Sequence, residues 1–137
     1  MALRALERLA TTQDALVRHG EHLARTPGLD ARLPARHPHG RCVWWRLPIR
    51  VHDARAAARF FARRGIETSR NALPVCSDLP AFRDAVFEPP LRGTRFCDAN
   101  YLLIPLHADH DERTVAHVQS ALAEFVAMDR SPGGPDD

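Results

Sequence analysis

The sequence contains no lysine; its 19 basic side chains are all arginines. A chain without an ε-amine cannot by itself perform lysine-based covalent catalysis such as an internal Schiff base. Cysteine is scarce as well. Cys42, Cys76 and Cys97 are an odd number at wide spacing, which gives neither a disulfide framework nor a Cys-x-x-Cys pair. Each is expected to be a small buried apolar residue. No apolar run approaches the ~20 residues of a membrane span. Met1 opens an amphipathic segment, not a charged tip followed by an apolar block, so no secretory signal is read. A cytoplasmic protein away from membranes is the expectation. The net charge of +2 has its signs interspersed, so the electrostatic footprint of a nucleic-acid-binding protein is missing and no nucleic-acid partner is expected. There is also no glycine-rich phosphate loop and no nucleophile elbow.

The stretch from Cys42 to Thr68 carries the clearest pattern. Val43, Trp45, Leu47, Ile49 and Val51 alternate with Cys42, Trp44, Arg46, Pro48, Arg50 and His52, the mark of a strand with one buried face. Pro48 has no amide hydrogen, which places the strand at an edge or leaves the Pro48 amide side unpaired. Asp53 is suited to cap a helix. From Ala54 to Arg64, Ala54, Ala57, Phe60 and Phe61 recur on one helical face. Arg63 and Arg64 suit the negative end of the helix dipole, and Gly65 suits a left-handed C-terminal cap. Ile66 restarts an extended segment.

Residues 2 to 25 read as one long amphipathic helix through Leu3, Leu6, Leu9 or Ala10, Gln13, Leu16 or Val17, and Leu23, with Gly20 a weak point and Pro27-Gly28 a stop. Leu29 to Gly40 is a proline- and arginine-rich loop. His37 and His39 lie in it without an acid or cysteine beside them, a poor metal-ligand set. Ser77 or Asp78 caps a short helix over 79–86 with Pro80 in its first turn, and Gly93 to Ala99 is expected to form another short helical turn. Tyr101 to Ile104, ended by Pro105, suits a fully buried strand. In His107-Ala108-Asp109-His110-Asp111-Glu112, Asp109 followed by Glu112 three residues later is a helix start signal, which explains these residues better than a metal site. The last helix runs to Met128 with Val115, Val118, Ala121, Leu122 and Phe125 on one face. The fold expected is α+β: a small, mainly antiparallel sheet with helices on one face, preceded by a long N-terminal helix. One domain over residues 1–128 and a flexible tail over 129–137 complete the expectation.

Several segments in this order resemble a known family. They are Ala2-Leu-Arg-Ala-Leu-Glu-Arg-Leu, Thr26-Pro-Gly-Leu, the strand from Trp45 to Val51, Arg64-Gly-Ile-Glu-Thr, Asp78-Leu-Pro-Ala-Phe, and Leu103-Ile-Pro-Leu-His followed by a helix. The set, from about Ala2 to Val126, resembles the C-terminal small domain of the DegT/DnrJ/EryC1/StrS aminotransferases. Those are fold-type I pyridoxal-phosphate enzymes, many of which aminate nucleotide-bound keto-sugars. The resemblance implies that the long helix leads from a large cofactor-binding domain. The Schiff-base lysine, the acid at the pyridine nitrogen and the aromatic stacked on the ring all belong to that large domain, and none has a counterpart here.

The segment Ser69 to Ser77 also departs from the family, which often carries an aromatic and a histidine there. The resemblance places Arg70, Asn71 and Ser77 nearest a substrate. It implies no catalytic residue and no cofactor bound by the chain alone, with pyridoxal phosphate possible only in a complex with a partner chain. The implied partner is a large-domain aminotransferase chain, or a second copy docked through the Ala2–Arg25 helix. The leading functional expectation is an accessory subunit of a split pyridoxal-phosphate-dependent transaminase. The alternatives are a non-catalytic binding or regulatory module and a remnant fragment.

Overall fold

A computed structural model describes residues 2–37, 39–70, 75–82, 84 and 92–129. The chain opens with helix α1 (Ala2–Ala24), and a short 3-10 turn (Asp30–Arg32) follows its Pro27-Gly28 stop. Strand β1 (Arg46–Arg50) leads into helix α2 (Ala54–Ala62). Two 3-10 turns (Cys76–Asp78 and Pro80–Phe82) precede helix α3 (Arg92–Asn100), strand β2 (Tyr101–Pro105) and helix α4 (Glu112–Met128). The two strands pair antiparallel, with Leu47 opposite Ile104 and Pro48 opposite Leu103. The architecture is the expected α+β one, a long first helix followed by a small antiparallel sheet with helices.

Pro48 costs the sheet nothing. The Val51 amide donates to the Asn100 carbonyl at 2.7 Å and the Leu106 amide donates to the Trp45 carbonyl at 3.1 Å. Antiparallel ladders alternate hydrogen-bonded with non-hydrogen-bonded pairs, so Pro48 and Leu103 form a non-hydrogen-bonded pair. The Pro48 nitrogen faces the open edge. Leu103 turns its own amide and carbonyl the other way, where Ser69 takes both at 2.7 and 3.1 Å. The return segment after α2 thus adds a single bridge to the far side of β2.

Leu47, Ile49, Leu102 and Ile104 are fully buried on one sheet face. Against them pack the apolar faces of α2 and α4, where the rings of Phe60, Phe61 and Phe125 lie 5.2 to 5.3 Å apart. The buried residues of α2 and α4 are those whose helical spacing marked them. Asp53 caps α2, accepting from the Arg55 and Ala56 amides at 2.7 and 3.0 Å. Gly65, at φ +71°, turns the chain at its end, where a side chain would be strained.

Several expectations need correction. Trp45, expected in the core, is 65% exposed, and Val43 is exposed too. The ladder starts only at Arg46, so alternation upstream of it has no sheet face to obey. Trp44 packs against the core instead, over Gly20 of α1, where an added Cβ would come within 2.5 Å of Trp44 Cδ1. β2 is buried on one side only, with Tyr101 and Leu103 half-exposed, because among the described residues no layer covers its outer face completely. The cap of α4 is Asp111, which accepts from the Thr114 amide at 2.7 Å, not Asp109. The segment before it closes a separate turn, His110 amide to His107 carbonyl at 3.2 Å.

Within the helix expected over 79–86, the structure has only a 3-10 turn over Pro80–Phe82, closed i to i+3 by the Phe82 amide on the Leu79 carbonyl at 3.0 Å; most of the remainder lies outside the described residues. Cys76 and Cys97 are exposed and Cys42 is half-buried, not core residues. Asp129, expected to begin a loose tail, is anchored. Its carboxylate accepts from the buried Arg32 at 2.6 Å and from the His52 amide at 3.3 Å, and its carbonyl accepts from Arg32 at 2.9 Å. Residues 130–137 lie outside the described residues.

Candidate functional site

The outer face of the sheet carries Arg46, Pro48 and Arg50 from β1 and Tyr101, Leu103 and Pro105 from β2, all half-buried. Next to it runs the return segment Glu67-Thr68-Ser69. Arg46, Glu67, Thr68, Ser69, Pro105 and His107 line a cavity of ≈ 180 Å³. Two elements meet there for a simple reason. The bridge to Leu103 fixes Ser69 beside β2, and Arg46 stands opposite Pro105 in the ladder. An Arg46 Nη1–H donates to Ser69 Oγ, and the guanidinium lies 4.8 Å over the Trp45 ring. Among the described residues no carboxylate forms an ion pair with Arg46.

The expected substrate-facing residues do not gather at this point. Arg70 follows Ser69 directly and is exposed. Asn71 lies outside the described residues. Ser77 sits in the 3-10 turn Cys76–Asp78, and its hydroxyl donates to Asp78 at 3.4 Å. Arg95 holds the same carboxylate at 2.8 Å. Ser77 therefore belongs to a local turn, and among the described residues no hydrogen bond joins it to Arg70. Arg46 was not singled out from sequence. The only signal for it was its polar place in the alternation; its meeting with Ser69 needs the folded chain.

A second cluster joins α1 to the start of α4. His19 and His22, three apart on α1, face the turn that carries His107 and His110. The His19 and His110 rings stack at 6.4 Å, and those of His107 and His110 meet at 5.1 Å. His19 Nδ1–H donates to the His107 carbonyl at 3.1 Å. His22 donates to Gln119 Oε1 at 2.9 Å, and the Gln119 amide donates back to the His22 carbonyl at 3.3 Å. Burial, with help from His107 and His19, lowers the His110 pKa. The adjoining groove, ≈ 720 Å³, also has Arg18, Asp111 and Glu112 on its walls. Among the described residues no three of the histidines, cysteines and acids converge as a metal site. His37 and His39 are both exposed, with their rings 5.8 Å apart.

No family profile matches the sequence, and no curated protein is similar to it. Its fold, however, is matched by solved structures. A DegT/DnrJ/EryC1/StrS aminotransferase from Brucella abortus superposes with a TM-score of 0.78 at 16% identity, over 90% of this chain and 33% of that one. DesV of S. venezuelae, solved in complex with a ketimine intermediate, gives 0.73 at 22% identity, over 91% and 35%. The aminotransferase TlmJ from Streptoalloteichus hindustanus gives 0.68 at 25% identity, over 89% and 34%. The chain thus spans about a third of the length of each.

Pyridoxal phosphate does not fit what this chain offers. No lysine is present to hold it. The cavity beside Arg46 is too small to enclose a substituted ring with its phosphate, and the larger groove presents histidines and acids from an open surface. Among the described residues no helix is long and apolar enough to cross a membrane. In its fold, then, this chain is similar to a portion, one third in length, of the DegT/DnrJ/EryC1/StrS sugar aminotransferases.

Proposed function

We propose that the chain serves as the small-domain part of a pyridoxal-phosphate-dependent transaminase and acts with a lysine-bearing large domain supplied from outside these 137 residues. One observation carries the reading: nine-tenths of the chain shares its fold with about a third of the length of solved aminotransferases. Lysine chemistry is then a task for the partner. The part left to this chain is to shape and close the substrate side of the joint site, using the outer sheet face and the segment from Glu67 to Arg70. The exposed first half of α1 is the face offered to the large domain. Leu6 is 66% and Leu9 48% exposed, and the first buried side chain on the helix beyond them is Ala15.

The test is a tagged purification from the native host, with the eluate scanned for cofactor absorbance and assayed for amino transfer. A co-purifying lysine-bearing polypeptide with bound cofactor and transfer activity is the expected result. A colourless eluate holding this chain alone would overturn the reading.

A second reading is favoured by the same exposed leucines. Apolar side chains in a row on an unpaired helix face suit self-association, which would make the chain a non-catalytic module that pairs with its own copy through α1. Sedimentation separates the two. A stable homodimer that Leu6→Glu and Leu9→Glu dissociate supports the module, and a monomer excludes it.

A further inference from the structure

We propose that the pocket between Arg46, Thr68, Ser69 and His107 on the outer sheet face binds an oxyanion, the carboxylate or phosphoryl group of a small ligand. Five of the arginines described, Arg32, Arg36, Arg41, Arg64 and Arg95, have a carboxylate partner. Arg46 holds none among the described residues, although it is half-buried at the wall of a cavity. Its recorded partners are the Ser69 hydroxyl and the face of Trp45. A guanidinium has five N–H donors, and a single hydroxyl uses one of them. The rest form the planar fork that recognises carboxylates and phosphates.

The surroundings complete the donor set. Ser69 Oγ accepts from Arg46, so its own proton is free to be donated. Both backbone bonds from Ser69 to Leu103 hold that hydroxyl in place. Thr68 adds a second hydroxyl and His107 an imidazole to the same walls. The Trp45 ring restrains the guanidinium by a cation–π contact. A volume of ≈ 180 Å³ suits one oxyanion group. Glu67 is the opposing feature. It lines the pocket and is exposed; its charge weakens anion binding without neutralising Arg46 through an ion pair.

The test uses the 137-residue chain alone, titrated with inorganic phosphate and separately with acetate at ionic strength fixed by sodium chloride. The readouts are the Arg46 Nε–H and Ser69 amide NMR signals. Saturable shifts with at least one anion are expected. Arg46→Gln should weaken binding at least about tenfold, the loss of a charge-assisted fork, and Glu67→Gln should strengthen it. Saturation by phosphate alone identifies a phosphoryl ligand, and saturation by acetate alone a carboxylate; either supports the site. Shifts that never saturate, or an affinity unchanged in Arg46→Gln, overturn it. If circular dichroism shows that Arg46→Gln does not fold, Ser69→Ala takes its place, and unchanged affinity there overturns the site as well. No cofactor or partner enters this experiment, so its failure and that of the transaminase reading are separate results.

Discussion

At the scale of single residues, the packing of Gly20 against Trp44 decides the sign of a substitution that helix propensity alone would misjudge. In an ordinary helix interior Gly→Ala gains about 1 kcal/mol. Here the new methyl would meet the Trp44 ring at 2.5 Å, and forcing that ring aside costs about 1–3 kcal/mol. Gly20→Ala should therefore lower Tm, and the same change in a Trp44→Ala background should raise it; thermal melts of the four proteins read this directly. The Arg32–Asp129 pair is also singular. The side chains are 6% and 15% exposed, against 38% or more for both partners in the Arg36, Arg41 and Arg95 pairs. Exposed pairs contribute about 0–1 kcal/mol, whereas breaking a buried one costs about 3–5 kcal/mol. Urea unfolding should show Asp129→Ala near that range and Arg95→Ala near zero. Among the thiols, Cys76 and Cys97 are exposed, while burial raises the Cys42 pKa. A thiol reagent at neutral pH should modify two cysteines quickly and the third slowly, because the thiolate is the reactive form.

At the scale of elements, helix ends and the histidine corner govern the response to pH. The Ala56 and then the Arg55 amide hold the Asp53 carboxyl below its ordinary value, and Thr114 does the same for Asp111. A carboxyl with a lowered folded pKa contributes stability that is present above about 3.8 and lost as pH falls through the folded value. Asp111→Ala should thus lower Tm at pH 7 and converge with the parent in strong acid. Asp109→Ala, which removes no cap, should leave Tm nearly unchanged.

His110 acts at higher pH. Its folded pKa lies below 6.5 because burial and the facing His107 and His19 disfavour the charged ring, against the smaller opposing pull of Asp111 and Asp109. Between that lowered value and 6.5 the unfolded chain binds more protons, so stability falls as pH drops through the window. Thermal melts from pH 7.5 to 5 should show this decline, with a shallower slope in His110→Gln.

At the scale of the whole molecule, the burial is one-sided. The inner sheet face, α2 and α4 form a closed core, while among the described residues Leu6 and Leu9 of α1 are exposed and the outer sheet face is only half-buried. The docking proposed above would use such open surfaces. Leu6→Glu with Leu9→Glu should leave the unfolding free energy of the isolated chain within about 0.5 kcal/mol of the parent for each change, as surface changes do. If α1 is the docking face, the same pair should abolish capture of the lysine-bearing partner.

Much of this arrangement was already legible in the sequence, because its causes are local. Helical and strand periods repeat every three to four and every two residues, so α1, α2, α4 and the buried positions of β1 from Leu47 to Val51 can be read directly. A cap reaches two or three residues, so Asp53 and Gly65 are legible too. Asp109 failed as a cap only because Asp111, two residues on, competes with the same chemistry. The folded chain alone decided which tryptophan packs against the core, since Trp44 answers to Gly20 across the molecule and Trp45 to a ladder that starts one residue later. It decided that Arg32 meets Asp129, 97 positions away, and that Arg46 meets Ser69, 23 positions away. Those pairings depend on how the elements stack, and no periodicity within either segment encodes them. The absence of lysine needed no structure at all, and it means that this chain supplies no ε-amine for an imine.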